Sequence, residues 1–334
     1  MDEIDWDNLP KSTTPAGLNV RVIGFDNMEA ATQLGQAVAE AVALFGSFID
    51  LTTIDGITVG FDYDDALASV DQGMAGLPPL DRTNTDELTG VAKACRVVRD
   101  GVVKTHLVFG AEQLVPLIAG DALTPADREF SIGLIAHECG HVEVNAMNER
   151  FVPDARLGAT IAEYDRAIMF PAAVVFWDEY AVCRLSAPFA KSQNTLHADS
   201  MAAVTPGARG RSDAHIRTHR LHQNHLRTLG ETATELVTPL KTVSYLLGGM
   251  DADGAGWEDF AAVRRIIDAA GYGELVDDLH RALRRMWDTR DQWNEDDDIL
   301  APVVEIIRET LASGGVSLFK EPDGSWHAHF LFPG

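Results

Sequence analysis

Two histidines four residues apart near the middle of the chain could bind one metal ion. His137 and His141 lie in the segment His-Glu-Cys-Gly-His, and residues four apart on a helix share one face. Two neutral imidazoles on that face can bind a single Zn²⁺ ion, at about 2.0–2.1 Å each. Glu138 would project beside the ion, where its carboxylate can take a proton from an activated water molecule and pass it to a leaving amine. We therefore predict one Zn²⁺ cofactor, with His137 and His141 as ligands and Glu138 as the catalytic base and acid.

A catalytic zinc ion needs a third protein ligand and one open position. The positions three and six residues after His141 hold Val144 and Met147, so a third histidine does not follow directly and the ligand is expected further along the chain. The acidic candidates are Asp154, Glu163, Asp165, Asp178 and Glu179. We favour Glu179, because an acid among apolar neighbours requires a partner and a metal ion is one. Glu163, also expected in mid-helix, is the second choice.

A histidine pair followed by a glutamate on a later helix resembles the gluzincin branch of the HExxH zincin metallopeptidases. Within that branch, the segment Glu179–Pro188 (Glu-Tyr-Ala-Val-Cys-Arg-Leu-Ser-Ala-Pro) resembles the third-ligand helix of the ImmA/IrrE-type bacterial metallopeptidases, which carries an acid, small residues, a leucine and a proline. The resemblance covers residues 102–190, and the spacing to Glu179 is longer than is usual in that family. It implies site-specific cleavage of a protein target, often a transcriptional repressor, although no helix-turn-helix module is evident in this chain.

The resemblance also implies two further features of the site. An antiparallel edge strand before the zinc helix would pair with an extended substrate, and Val102–Phe109 is the candidate strand. A tyrosine or a histidine would stabilise the tetrahedral oxyanion, and the candidates are Tyr164, Tyr180 and His197.

These residues must be held by helices and strands, and the sequence pattern predicts an α+β protein with a zincin-like arrangement. It would consist of a small mixed sheet with helices, the zinc helix, and a mostly helical second half. The first third should contain a strand over Val20–Phe25, a helix over residues 30–45 capped by Asn27, a hairpin of Phe48–Thr53 and Ile57–Phe61, a loop over 73–89 and a strand over Val102–Phe109. The parts are expected at 1–123 (α+β), 124–200 (zinc-binding helices), 201–213 (a linker) and 214–334 (helices ending in a β-hairpin).

The zinc helix has a strong start signal, because Thr124 can cap it, Pro125 suits its first position and Asp127 adds an acid to its first turn. We expect this helix to fade near Asn148. A second long helix is predicted over residues 155–187, and Pro171 should kink or split it.

Composition limits the partners. The formal net charge of −24 repels phosphate backbones, so we expect no direct nucleic-acid partner and an attraction to basic peptides or protein surfaces. The same charge is also typical of proteins kept soluble by an acidic surface, and the sequence leaves both causes open. Three widely spaced cysteines do not form a disulfide framework. With an acidic N-terminus and no apolar run of roughly 18 residues, we expect a cytoplasmic protein without a membrane partner.

Two other histidine-rich or acidic segments are weaker metal candidates. His215, His219, His222 and His225 are more typical of a solvated polar face, and the Asp251–Gly256 segment lacks the twelfth-position acid of a calcium loop. We therefore predict a zinc-dependent metallopeptidase that acts on a protein or peptide. Two alternatives stay open: a regulatory or binding protein with a zinc site and no peptidase activity, and a metal-dependent hydrolase or toxin with a non-peptide substrate.

Overall fold

The computed structural model describes residues 8–83, 90–120, 124–190 and 192–333, so residues 1–7 of the N-terminus and residues 84–89 of the predicted loop lie outside it. Within these residues the protein is α+β, as predicted. The helices are α1 (Met28–Phe45), α2 (Tyr63–Ala68), α3 (Pro125–Phe151), α4 (Tyr164–Ser186), α5 (Gln193–Val204), α6 (Ala208–His222), α7 (His225–Asp253), α8 (Ala261–Ala269), α9 (Gly273–Thr289) and α10 (Ala301–Ser313). The strands are β1 (Val20–Ile23), β2 (Ile54–Gly60), β3 (Ala92–Arg99), β4 (Val102–Gly110), β5 (Val316–Lys320) and β6 (Trp326–Phe330).

The strands β1 to β4 form a mixed sheet in the order β1-β2-β4-β3. The predicted hairpin over residues 48–61 is wrong, because β2 is a single strand that pairs in parallel with β1 on one side and with β4 on the other. The residues from Gly56 to Gly60 are all buried, so both faces of β2 are covered there. A short apolar run of this kind is typical of a central parallel strand rather than of a hairpin.

β3 lies at one edge of the sheet and β1 at the other, so the segment Val102–Phe109 that we expected at an edge is not an edge strand. β4 lies inside the sheet, and β3 returns antiparallel to it, from Ala92 opposite Phe109 to Arg99 opposite Val102. Asp100 and Gly101 join the two strands, and both have positive φ angles, of 51° and 78°. Positive φ at both residues is what a tight two-residue hairpin turn requires.

One face of the sheet packs against α1 and α3. Apolar side chains of β2 and β4, among them Ile57 and Leu107, join Leu34 and Val38 of α1 and Ile135 of α3 in one buried cluster. The short helix α2 covers part of the opposite face. The side chain of Asn27 accepts hydrogen bonds from the first backbone N–H groups of α1, as predicted.

The described residues form two compact units, each built from several segments. The first runs up to Arg150 and also contains Arg156–Gly158 and Val182–Gln193. The second contains Phe151–Ala155, Ala159–Ala181 and the chain from Asn194 onward. Helix α4 is continuous, and its last turn belongs to the first unit. No helix in the described ranges has both the length and the apolar character needed to cross a membrane.

Three expectations for the helical part need correction. The second long helix begins at Tyr164 rather than at 155. The residues before it form a turn after α3, in which the Arg156 side chain donates to the backbone carbonyl of Glu149 and the N–H of Leu157 donates to the Glu149 carboxylate. Pro171 is exposed and lies within α4 without splitting it. The expected linker at 201–213 consists of the end of α5, a short turn and the start of α6. The predicted C-terminal hairpin is confirmed as β5 and β6, which pair antiparallel.

Candidate metal centre

Helix α3 carries the histidine motif and is anchored at its start. The backbone N–H of Thr124 donates to the carboxylate of Asp127 at 3.0 Å, and the N–H of Asp127 donates to the Thr124 hydroxyl at 3.3 Å. This reciprocal pair satisfies N–H groups that have no partner inside the helix. The Ser131 hydroxyl donates to the backbone carbonyl of Gln113, just after β4, at 2.6 Å. The motif follows this anchor by two turns.

The faces of α3 separate packing from chemistry. Ile135, Cys139 and Val142 lie in the core cluster against the sheet. The rings of His137 and His141 lie on another face, with centroids 5.0 Å apart and planes nearly perpendicular. Helical periodicity alone predicts this division, and Cys139 is a fully buried thiol on the packing side. Its pKa is raised, first by burial and then by the negative charge of Glu138, so the thiol is neutral near pH 7.

Glu138 is held within the protein rather than in solvent, since only 6% of its surface is exposed. Its charge contributes to the raised pKa of two residues on the other elements of the first unit. The pKa of Cys95 rises to about 12 through burial together with this charge, and the pKa of Tyr63 rises for the same two reasons. Glu138 is therefore a source of negative field beside the histidine pair.

Helices α3 and α4 approach closely where α3 has no side chain. A Cβ atom placed on Gly140 would meet Val182 Cγ1 at 3.0 Å and Val182 Cα at 3.3 Å. One residue further along α4, Cys183 Sγ lies 3.9 Å from His137 Nδ1. Residues 179, 182 and 183 share one face of a helix. The contact at Gly140 therefore aligns the Glu179 face of α4 with the histidine face of α3.

This alignment gives a group that could hold a metal ion: His137, His141 and Glu179. One ligand atom from each residue lies within 4.8 Å of the others. Ligands of a tetrahedral zinc ion at about 2.0–2.1 Å stand about 3.3 Å apart, so small side-chain movements suffice to bind an ion. The donor set of two imidazoles and one carboxylate fits Zn²⁺ in a catalytic site, because it leaves a fourth position open.

The other acidic candidates for the third ligand are engaged elsewhere or lie apart. Asp154 forms an ion pair with Arg166 at 2.7 Å, and Asp165 forms one with Arg308 at 2.9 Å. Glu163 is exposed and precedes α4. At about 1.5 Å per residue, the length of α4 separates it from Glu179 by more than 20 Å. Asp178 is adjacent to Glu179 but is turned by about 100° on the helix.

The structure gives each of the three residues proposed for the oxyanion a contact of another kind. The Tyr180 side chain is fully buried, and its hydroxyl donates to Asp251 Oδ2 at 2.5 Å. Tyr164 starts α4, and its ring lies 6.3 Å from that of Trp326. The His197 ring lies 5.2 Å from that of Tyr245.

The weaker metal candidates have other partners. His215 Nδ1 lies 3.1 Å from Glu231, and the rings of His219 and His225 are tilted relative to each other with centroids 4.6 Å apart. Across the described part of the chain, His137, His141 and Glu179 make up the group that meets the geometric requirement for a metal ion. Asp251 lies in the last turn of α7, where its carboxylate also accepts from His280 at 3.0 Å.

Sequence reasoning missed the contact of Cys183 with His137. Its position four residues after Glu179 was the available signal, since a residue at that spacing faces the same neighbour as the ligand. Comparisons of this chain with protein-family models, with curated proteins and with solved structures found no match.

Proposed function

We propose that this protein is a zinc-dependent metallopeptidase with a zincin-like fold, which uses His137, His141 and Glu179 as ligands and Glu138 as general base and acid. The observation that carries the proposal is the convergence of a two-histidine, one-glutamate donor set with a second glutamate beside it. When bound, Zn²⁺ would polarise a scissile carbonyl and lower the pKa of water to about 7.

Glu138 performs the proton transfers in this proposal. It follows His137 directly, so its carboxylate projects beside the ligand face rather than onto it. From there it takes a proton from the attacking water and delivers that proton to the leaving amine. A purely structural zinc site has no use for a base at this position, which favours an enzyme over the regulatory alternative.

The edge strand β3 is the proposed docking element for an extended peptide. An edge strand can present backbone N–H and C=O groups to which a peptide adds as a further strand. In β3 one of these groups, the N–H of Val98, already donates to the carbonyl of Gln72 at 2.8 Å, so the other residues of the strand would pair with the peptide. The net charge of −24 favours a basic peptide or an unfolded basic segment. By resemblance to the ImmA/IrrE-type enzymes, the target would be a protein that is cut at a specific site.

Zinc content per chain tests the metal centre. We expect one equivalent in the wild type and in Glu163→Ala, and a sharp drop in Glu179→Ala. Glu163→Ala is the matched control, because it removes an exposed acid close to the start of the same helix. A wild type that takes up no zinc on titration would refute the metal centre.

Cleavage tests the activity. Purified protein is incubated with reduced casein and with peptides of matched length and graded net charge, and products are identified by mass spectrometry. We expect the wild type to cleave peptides, with a preference for basic ones. We expect Glu138→Gln to lose this cleavage while its zinc content stays at one equivalent. Zinc binding without any peptide cleavage would favour the two alternative functions over a peptidase.

A further inference from the structure

The ligand histidine His137 has a buried thiol against the ring nitrogen that faces α4. Cys183 Sγ lies 3.9 Å from His137 Nδ1, at the long end of the range for a contact between nitrogen and sulfur. Cys183 is only 2% exposed. The buried thiol therefore contacts the half-buried imidazole of His137 from the interior of the protein.

An imidazole that binds a metal ion uses one nitrogen and keeps a proton on the other. The partner of the protonated nitrogen decides which tautomer is present and how the ring is oriented. Because Nδ1 of His137 faces Cys183, Nε2 is the nitrogen left to face an ion. In most metal sites this partner is a carboxylate, a backbone carbonyl or water, and a thiol sulfur is a weaker acceptor.

The backbone holds the thiol in this place. Val182 packs against the backbone of Gly140. A Cβ atom added to Gly140 would lie only 3.0–3.4 Å from the nearest atoms of Val182. Since Cys183 follows Val182, its Cα cannot move relative to α3 without opening that contact. The sulfur is thus positioned by the same helix crossing that aligns Glu179 with the histidines.

Cys183 does not belong to the ligand set itself. Cysteine sulfurs count among the atoms that could join a metal group, and within the described residues the group contains His137, His141 and Glu179 without Cys183. The sulfur is therefore close to His137 but not close enough to all three ligand atoms to join the group.

We propose that Cys183 is a positioning residue for the metal centre: its sulfur accepts a hydrogen bond from Nδ1–H of His137 and holds the ring with Nε2 toward the ion. This inference rests on the proposed function, because it assumes that His137 binds a metal. Outer partners of ligand histidines typically contribute 10–100-fold to metal affinity. Because the contact is long and a thiol sulfur is a weak acceptor, we expect Cys183 to contribute about 10-fold to metal affinity, the lower end of that range.

The first test measures the dissociation constant for Zn²⁺ by competition with a chromophoric chelator, on the full chain. Cys183→Ala is compared with Cys183→Ser and with Cys139→Ala, a matched control that removes a buried thiol from the sheet side of α3. We expect a roughly 10-fold weaker affinity in Cys183→Ala, a partial recovery in Cys183→Ser, and wild-type affinity in Cys139→Ala. Equal affinities in Cys183→Ala and the wild type would overturn the proposal.

The second test needs no variant and so does not depend on whether Cys183→Ala folds. Long-range ¹H–¹⁵N correlation spectra of the zinc-loaded wild type identify the protonated nitrogen of each ligand histidine. We expect the proton of His137 on Nδ1, and a proton on Nε2 would overturn the role of Cys183. In a Co²⁺-loaded sample, a thiolate-to-metal charge-transfer band would also overturn the proposed role, because it would show that Cys183 is itself a ligand. Failure of the wild type to bind any Zn²⁺ would instead refute the metal centre.

Discussion

Replacing Gly140 by alanine tests whether the close helix crossing holds the metal centre together. The added Cβ would meet Val182 Cγ1 at 3.0 Å, Val182 Cα at 3.3 Å and Val182 Cβ at 3.4 Å. A side-chain methyl can rotate away, but a backbone Cα cannot. An ordinary contact between carbon atoms needs about 3.5–4.0 Å, so α3 and α4 must separate locally by a few tenths of an ångström.

Two opposing effects set the magnitude. Alanine is more favourable than glycine inside a helix by about 1 kcal/mol, while forcing one extra carbon into a packed interior costs about 1–3 kcal/mol. The net change in the free energy of unfolding is then a loss of about 0–2 kcal/mol. The separation also carries Glu179 and Cys183 away from His137, so we expect weaker zinc binding in addition to lower stability.

Gly230→Ala is the control for helix propensity. Gly230 lies within α7, is exposed, and an added Cβ would meet nothing within 4 Å. The same replacement should therefore raise the free energy of unfolding there by up to about 1 kcal/mol. Urea denaturation of the metal-free proteins and chelator competition for Zn²⁺ measure both quantities. If Gly140→Ala gains as much stability as Gly230→Ala and binds zinc like the wild type, the reasoning about this contact is wrong.

Three further predictions concern groups away from the metal. Asp251→Ala should lower the free energy of unfolding by about 2–4 kcal/mol in urea denaturation, because it leaves the buried Tyr180 hydroxyl and other donors without their acceptor; no change would contradict the network. Burial lowers the pKa of His106 despite its hydrogen bond to a carboxylate, so the unfolded chain takes up the proton first and stability should fall as the pH drops below 6.5. The fall in urea midpoint between pH 7.5 and pH 5.5 should be smaller in His106→Gln, and equal falls would count against this assignment. Pro171→Ala should raise the melting temperature, since it adds an N–H that can donate to the Ala167 carbonyl within α4; a lower melting temperature would show that the proline ring contributes more through its contacts.

Local signals predicted the elements whose causes are local. The cap at Thr124, the proline after it and the helical spacing of the histidines all act within a few residues, and the structure has α3 beginning at Pro125. The same holds for the Asn27 cap and the C-terminal hairpin. The error over residues 48–61 has a different cause. β2 pairs with strands that are distant in the sequence, and a short apolar run does not reveal which partners it has.

The order of the strands was likewise beyond the sequence. No strand over Ala92–Arg99 was predicted from the sequence. Only the pairing of β4 with both β2 and β3 places β4 inside the sheet and β3 at an edge. The start of the second long helix was also misplaced, because the turn at Arg156 depends on contacts with Glu149 in the preceding helix.

The sequence alone predicted the histidine pair and the proposed base, because one helical turn brings His137, Glu138 and His141 together wherever the helix lies. Among five acidic candidates for the third ligand it favoured Glu179 because of its apolar neighbours, but it did not show which acid approaches the histidines. Only the tertiary structure brought Glu179 into the group and set Cys183 against a ring 46 residues earlier in the chain. The physical reason is the packing of α4 on the bare backbone of Gly140, a contact between distant segments that selects one face of each helix.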